Sequence, residues 1–205
     1  EKLCEEKKLD KRGTMARIRD EALRLAGSPD RQEFLDHRVF KGVILSTSLL
    51  PDWLDKVLLE AISHVLKGPD AALFTSSSDD SCIPFEAGRF NAHRQADTVF
   101  RMLYHGKSPE EWLTRNFLVL YQKCYGDDAL RGLKIERRSA TEYLVSMDNC
   151  HLEKGSPMDC STILGYLYGS MERLGAKSIK VKHTRCSTVA ASPHKLCDFV
   201  VSWAA

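Results

Sequence analysis

The sequence predicts an α+β domain in which helices pack on a mainly antiparallel four-stranded sheet. Three observations carry this. Through the first two thirds of the chain, apolar residues recur at helical spacing. After Gly126 two pairs of short alternating segments bracket one further helix. The chain has 205 residues, 43% of them hydrophobic, enough to bury one core without covalent staples.

The first 30 residues are rich in charge of both signs, from Glu5-Glu6-Lys7-Lys8 to Lys11-Arg12, followed by a helical stretch near Met15–Ala26. Gly27-Ser28-Pro29 ends that helix, since Gly suits a C-terminal cap and Pro begins a new element. Residues 1–30 are expected to form a charged helical lead, and residues 31–205 one α/β domain. From Pro51 to Leu66 the pattern Trp53, Leu54, Val57, Leu58, Ala61, Ile62, Val65, Leu66 is helical and stops at Gly68-Pro69. Thr75–Ser81 reads as an exposed polar loop. A helix over Phe85–Tyr104 follows, and another opens at Ser108-Pro109-Glu110-Glu111 and runs to Gly126. Lys134–Arg138 and Thr141–Met147 read as paired strands. Ser156-Pro157-Met158-Asp159 is a helix start, and Cys160, Ile163, Leu164, Leu167, Met171 and Leu174 form its apolar stripe up to Gly175. Ser178–Arg185 and Leu196–Trp203 complete the sheet.

Composition narrows the function classes. A formal net charge of +2 gives no reason to expect nucleic acid or an anionic membrane as partner. The longest apolar runs, Phe117–Tyr121 and Val43–Leu45, are too short to span a bilayer. No signal-like segment follows a basic start, and the missing initiating Met points to a processed or excised segment. Seven cysteines make an odd number for a disulfide framework, so a reducing, cytoplasmic setting is expected. There is no Gly-rich phosphate loop, nucleophile elbow or paired His-Glu metalloprotease motif. Cys124 and Cys150 lack an identifiable base, His151 being merely adjacent to the latter, so no enzyme is expected.

Four groups suited to a soft metal ion, Cys160, His183, Cys186 and Cys197, lie within the last 46 residues. Their gaps of 23, 3 and 11 positions match no compact zinc finger. Strand parity says more. Ile179, Val181 and His183 share one face of their strand and Lys180, Lys182 and Thr184 the other, so His183 points inward. Cys197 shares a face with Phe199, Val201 and Trp203, and Cys160 lies on the helix stripe that covers the sheet. Three of the four converge beneath the helix start, where a thiolate is favoured. The alternative is that the cysteines are apolar filler and His183 a hydrogen-bonded core histidine.

Cys160-x4-Gly165-Tyr166-x2-Gly169, Val181-x-His183-x2-Cys186 and Cys197-x-Phe199-x-Val201 resemble the C-terminal half of the 4-vinyl reductase domain, the sensory part of aromatic-responsive bacterial activators. From Phe85-Glu86-x-Gly88-Arg89-Phe90 onward the chain is also similar to uncharacterised bacterial proteins with this ending. The resemblance implies a structural zinc on Cys160, His183, Cys186 and Cys197, with His183 where the family carries Glu and a longer Cys186–Cys197 loop. It also implies a fold akin to small vesicle-tethering-complex subunits, with an apolar cavity between helices and sheet.

Candidates for lining that cavity are Phe85, Phe90, His93, Phe100, Trp112, Phe117, Tyr121 and Tyr166, with His93 and Tyr166 able to hydrogen-bond a ligand. The competing reading is that these aromatics fill the core. Glu86 and Arg89, three apart, are expected to form an ion pair. The functional expectation is a non-catalytic sensory or regulatory domain that binds a small hydrophobic or aromatic ligand and signals to a protein partner or a second copy. The alternative is a dimerising interaction module without ligand. A tetrapyrrole-reducing enzyme ranks last, because no nucleotide-binding motif accompanies the resemblance.

Overall fold

The computed structural model describes residues 10–41, 51–98, 100–147, 156–186 and 196–204. The run Val43–Leu45, the charges of Glu5–Lys8, and Cys150 with His151 lie outside these residues. The chain separates into two compact units, Glu1–Ala72 and Leu73–Ala205. The sequence suggests a division after residue 30, whereas the helix it assigns to the lead packs inside a unit extending to Ala72. No helix among the described residues is long and apolar enough to cross a membrane.

In the N-terminal unit, α1 (Lys11–Ala26) is capped by Asp10, whose carboxylate accepts from the Arg12 and Gly13 N–H groups. Gly27 ends it at φ 77°, and Ser28 caps α2 (Pro29–Phe34). Residues Leu35–Phe40 continue as a π-helical turn. Ile18, Ala22 and Ala26 of α1 pack with Leu35 and with Leu54, Val57 and Ala61 of α3 (Asp52–Lys67). A polar tie joins α1 to α3. Glu21 accepts from Arg24 at 2.8 and 2.6 Å and meets His64 Nδ1 at 2.7 Å. The Arg24 guanidinium, then His64, hold the Glu21 carboxyl down at about 2.

The C-terminal unit has the expected architecture of helices on a four-stranded antiparallel sheet. Its helices are α4 (Ile83–Asp97), α5 (Arg101–Tyr104), α6 (Pro109–Glu111), α7 (Phe117–Tyr125), α8 (Asp127–Leu130) and α9 (Pro157–Arg173). The expected helix over Phe85–Tyr104 is broken at Thr98, where Thr98 Oγ1 donates to the Arg94 carbonyl at 2.7 Å and the Phe100 N–H folds back onto Gln95. A π-helical turn, Trp112–Asn116, joins α6 to α7.

The strands β1 (Lys134–Arg137), β2 (Glu142–Met147), β3 (Lys177–Arg185) and β4 (Cys197–Ala204) run in the order β1-β2-β4-β3. Tyr143, Val145, Val181, Phe199 and Val201 form the buried face and pack under Leu164, Leu167 and Met171 of α9. The free edge of β3 is covered by the polar loop. Ser78 N–H donates to the Val181 carbonyl at 2.9 Å, and His183 N–H donates to Ser76 at 2.8 Å.

Helices α4 and α9 approach until their backbones touch. A Cβ on Gly88 would lie 1.9 Å from the Thr162 carbonyl oxygen, and one on Gly165 1.9 Å from that of Phe85. A Cβ on Gly169 would lie 2.7 Å from the Arg89 carbonyl oxygen. Side-chain rearrangement cannot relieve such a clash, because the obstructing atoms are backbone.

Gly165→Ala is therefore expected to cost about 3 kcal/mol or more, at or above the top of the usual overpacking range, seen as a lowered urea midpoint. A midpoint within error of the wild type would refute the backbone contact. In the N-terminal unit the depressed Glu21 carboxyl contributes stability above its ordinary 4.5, and this is lost as pH falls toward about 2. Urea midpoints for this unit should drop between pH 5 and pH 3, and Glu21→Gln should flatten that drop.

Candidate metal centre and aromatic core

Helix α9 begins where the sequence places it. Pro157 takes the first helical position and the Asp159 carboxylate accepts from the Ser156 N–H at 2.9 Å. Cys160 follows on the inward stripe and is fully buried. His183 is inward on β3, its ring stacked on Phe199 at 4.6 Å and 13°, with Phe74 edge-on at 5.9 Å. Cys197 opens β4, paired with Met147 of β2, and is fully buried.

Cys186 is the group that parity could not place. In a regular strand, residues three apart face opposite sides. Between His183 and Arg185 the β3–β4 register slips, so that His183 pairs with Phe199 and Arg185 with Asp198. The extra residue is a bulge. Thr184 and Arg185 are both exposed, Arg185 pairs with Asp198 at 2.6 Å on the outer face, and Cys186 returns to the face of His183.

The four ligand atoms of Cys160, His183, Cys186 and Cys197 lie within 4.8 Å of one another. The Cys160 sulfur is 3.7 Å from that of Cys197 and 4.0 Å from that of Cys186. These are not disulfide lengths; a tetrahedron with metal–sulfur bonds of about 2.3 Å has sulfur–sulfur edges of about 3.8 Å. His183 Nε2 is buried and has no hydrogen-bond partner among the described residues. A buried imidazole nitrogen left so is costly unless something binds it.

The expected pocket residues are distributed less uniformly. Trp112, Phe117 and Tyr121 are buried in one ring cluster, with Trp112 centroids 5.2 Å from Tyr104, 5.2 Å from Phe117 and 6.4 Å from Tyr166. Phe85 packs on Tyr168 at 5.7 Å, and half-buried Phe100 adjoins the core. Phe90 is 54% exposed on the outer side of α4. His93 is engaged elsewhere, meeting Glu172 at 3.0 Å beside the bidentate Arg89–Glu172 pair of 2.7 and 2.8 Å. The expected Glu86–Arg89 pair is present at 3.6 Å, secondary to Glu172.

Hydroxyls thread this cluster. Tyr104 Oη lies 2.9 Å from Tyr166 Oη and 3.0 Å from Ser170 Oγ, and Tyr166 donates to Gln95 at 2.8 Å. Burial pushes both phenols above their ordinary range, so they stay protonated within this network. The Trp112 indole N–H is buried with no acceptor among the described residues. Tyr104 also lines an open groove of about 610 Å³, with Asp97, Arg101, His105, Lys107 and Arg173 at its rim. Sequence reasoning missed Tyr104, Gln95 and Ser170, for which the pattern offers no sign beyond helical spacing.

No protein-family model and no curated protein matches the sequence. Solved structures do. One that probes heme distortion in the H-NOX family superposes with a TM-score of 0.59 at 12% identity, over 92% of this chain and 85% of that chain. The fold is H-NOX-like. An oxygen-binding H-NOX domain related to soluble guanylate cyclases, in its oxygen complex, gives 0.55 at 13% identity over 92% and 85% of the two chains. The Fe(II) unliganded H-NOX protein from K. algicida gives 0.52 at 17% identity over 92% and 95%. At such identities the likeness is one of architecture.

Proposed function

We propose that the C-terminal unit is a non-catalytic sensory domain of the 4-vinyl reductase kind, braced by a structural zinc ion on Cys160, His183, Cys186 and Cys197. The observation that carries this is the convergence of four ligand atoms within 4.8 Å from a helix start, a bulged strand end and the start of the next strand. Three thiolates and one imidazole form a closed tetrahedral set, which leaves no position for substrate and gives the ion a structural role. The start of α9 lends its dipole to the Cys160 thiolate. A cytoplasmic location fits a site made of reduced thiols.

The ligand is a small aromatic molecule carrying a hydrogen-bond acceptor, taken up at the cluster around Trp112. Support comes from the buried indole N–H without an acceptor, beside the phenols of Tyr104 and Tyr166. Tyr104 spans from the groove to the Trp112 ring, so its displacement opens a path inward. The close ring contacts favour the second reading, an interaction module without ligand.

Heme, named in one of the H-NOX structures, does not fit the described residues. Heme iron takes an axial side chain, commonly histidine. The described imidazoles of this unit are His93, bonded to Glu172, exposed His105, and His183 in the thiol cluster. The helix–sheet interior is occupied by the touching rings of Tyr104, Trp112, Phe117 and Tyr166.

Purified protein is expected to carry about one zinc per chain, as one four-ligand site requires. Cys186→Ser should lose it and lower the melting temperature, by about 3 °C for each kcal/mol forfeited in a chain of this size. Metal-free protein whose stability is indifferent to that substitution would sink the site. A thermal-shift screen of phenols, indoles, fatty acids and tetrapyrroles tests the ligand. Aromatic acceptors should stabilise the wild type, with about tenfold weaker binding to Trp112→Phe, the value of one hydrogen bond. No shift with any class would leave the interaction module, and a stoichiometric heme complex would overturn the exclusion of that cofactor.

A further inference from the structure

The three thiols of the cluster differ in access. Cys160 and Cys197 are fully buried, whereas Cys186 is only partly buried and lies one residue beyond the end of β3. The β3–β4 ladder ends at Arg185, one residue before Cys186. Its sulfur is already 4.0 Å from that of Cys160. A disulfide needs about 2.05 Å, so the two sulfurs must close by about 2 Å.

We propose that this centre is a peroxide-operated latch, in which oxidation joins Cys186 to Cys160 and expels the zinc ion. The inference rests on the zinc reading above. The Cys186 thiolate attacks one oxygen of a hydroperoxide, breaking the O–O bond, forming a sulfenic acid and releasing hydroxide. The Cys160 thiolate then attacks the Cys186 sulfur, forming the disulfide and releasing a second hydroxide. Two thiolates are oxidised by two electrons and one peroxide is reduced. Cys197 and His183 alone are half of a tetrahedral set, too few to retain the ion. The ends of β3 and β4 then lose the bond that ties them to α9.

The test uses the full chain loaded with one equivalent of zinc and exposed to hydrogen peroxide in the presence of a chromogenic chelator. Zinc release should match disulfide formation one to one, and digestion without reductant should yield the Cys160–Cys186 cross-linked peptide. Cys124→Ser, which removes an exposed thiol outside the cluster, should release zinc as the wild type does. Reductant with added zinc should restore the starting state. Zinc retained at tenfold excess peroxide, zinc lost with Cys186 over-oxidised and no disulfide, or a disulfide on any other pair would each overturn the latch. A chain that takes up no zinc before oxidant is added fails earlier, and that failure belongs to the metal reading.

Discussion

The contact on which the C-terminal unit depends is the backbone-to-backbone approach of α4 and α9. Gly88, Gly165 and Gly169 remove three side chains at the crossing, and carbonyl oxygens occupy the space their Cβ atoms would need. Dispersion between such close surfaces is individually small and collectively large. The approach has a consequence at each end of α9. Toward its start, Cys160 is set over the ends of β3 and β4; toward its end, Glu172 is within reach of Arg89 and His93. One geometric constraint thus positions both the thiol cluster and the principal ion-pair network of the helical layer.

The fold class was legible in the sequence because periodicity changes sharply after Gly126, and the edges of β2, α9, β3 and β4 fall within two residues of where turn residues put them. Less visible were features set by contacts between distant segments. The break at Thr98 coincides with a threonine hydroxyl turning back onto its own helix, an option open to any mid-helix Thr. The glycines of α9 are plain in the sequence, yet nothing there names α4 as the helix they admit. The association of Lys11–Ala26 with Asp52–Lys67 rests on ordinary amphipathic faces, which do not name their partners either.

The thiol cluster divides in the same way. Parity alone brings Cys160, His183 and Cys197 to one side, while Cys186 is placed by a register slip that no residue type announces. Thr184 and Arg185 share the outer side of the bulge, and the Arg185–Asp198 pair closes the outer surface over it. The bulge is therefore the element that completes a four-group set. It also leaves Cys186 at the margin of the sheet, more accessible than its partners.

Two buried nitrogens, His183 Nε2 and Trp112 Nε1, are without hydrogen-bond partners among the described residues. Each would cost about 1–3 kcal/mol if nothing met it, a substantial part of the net stability of a domain. They lie in the two places where a bound group is proposed, one beside three thiols and one beside two protonated phenols. The neighbours differ in what they accept. Thiolates with an imidazole suit a soft cation, whereas an indole N–H without an acceptor suits a neutral acceptor on an aromatic body. The two proposed positions are thus chemically distinct, and neither places a described imidazole in an open interior.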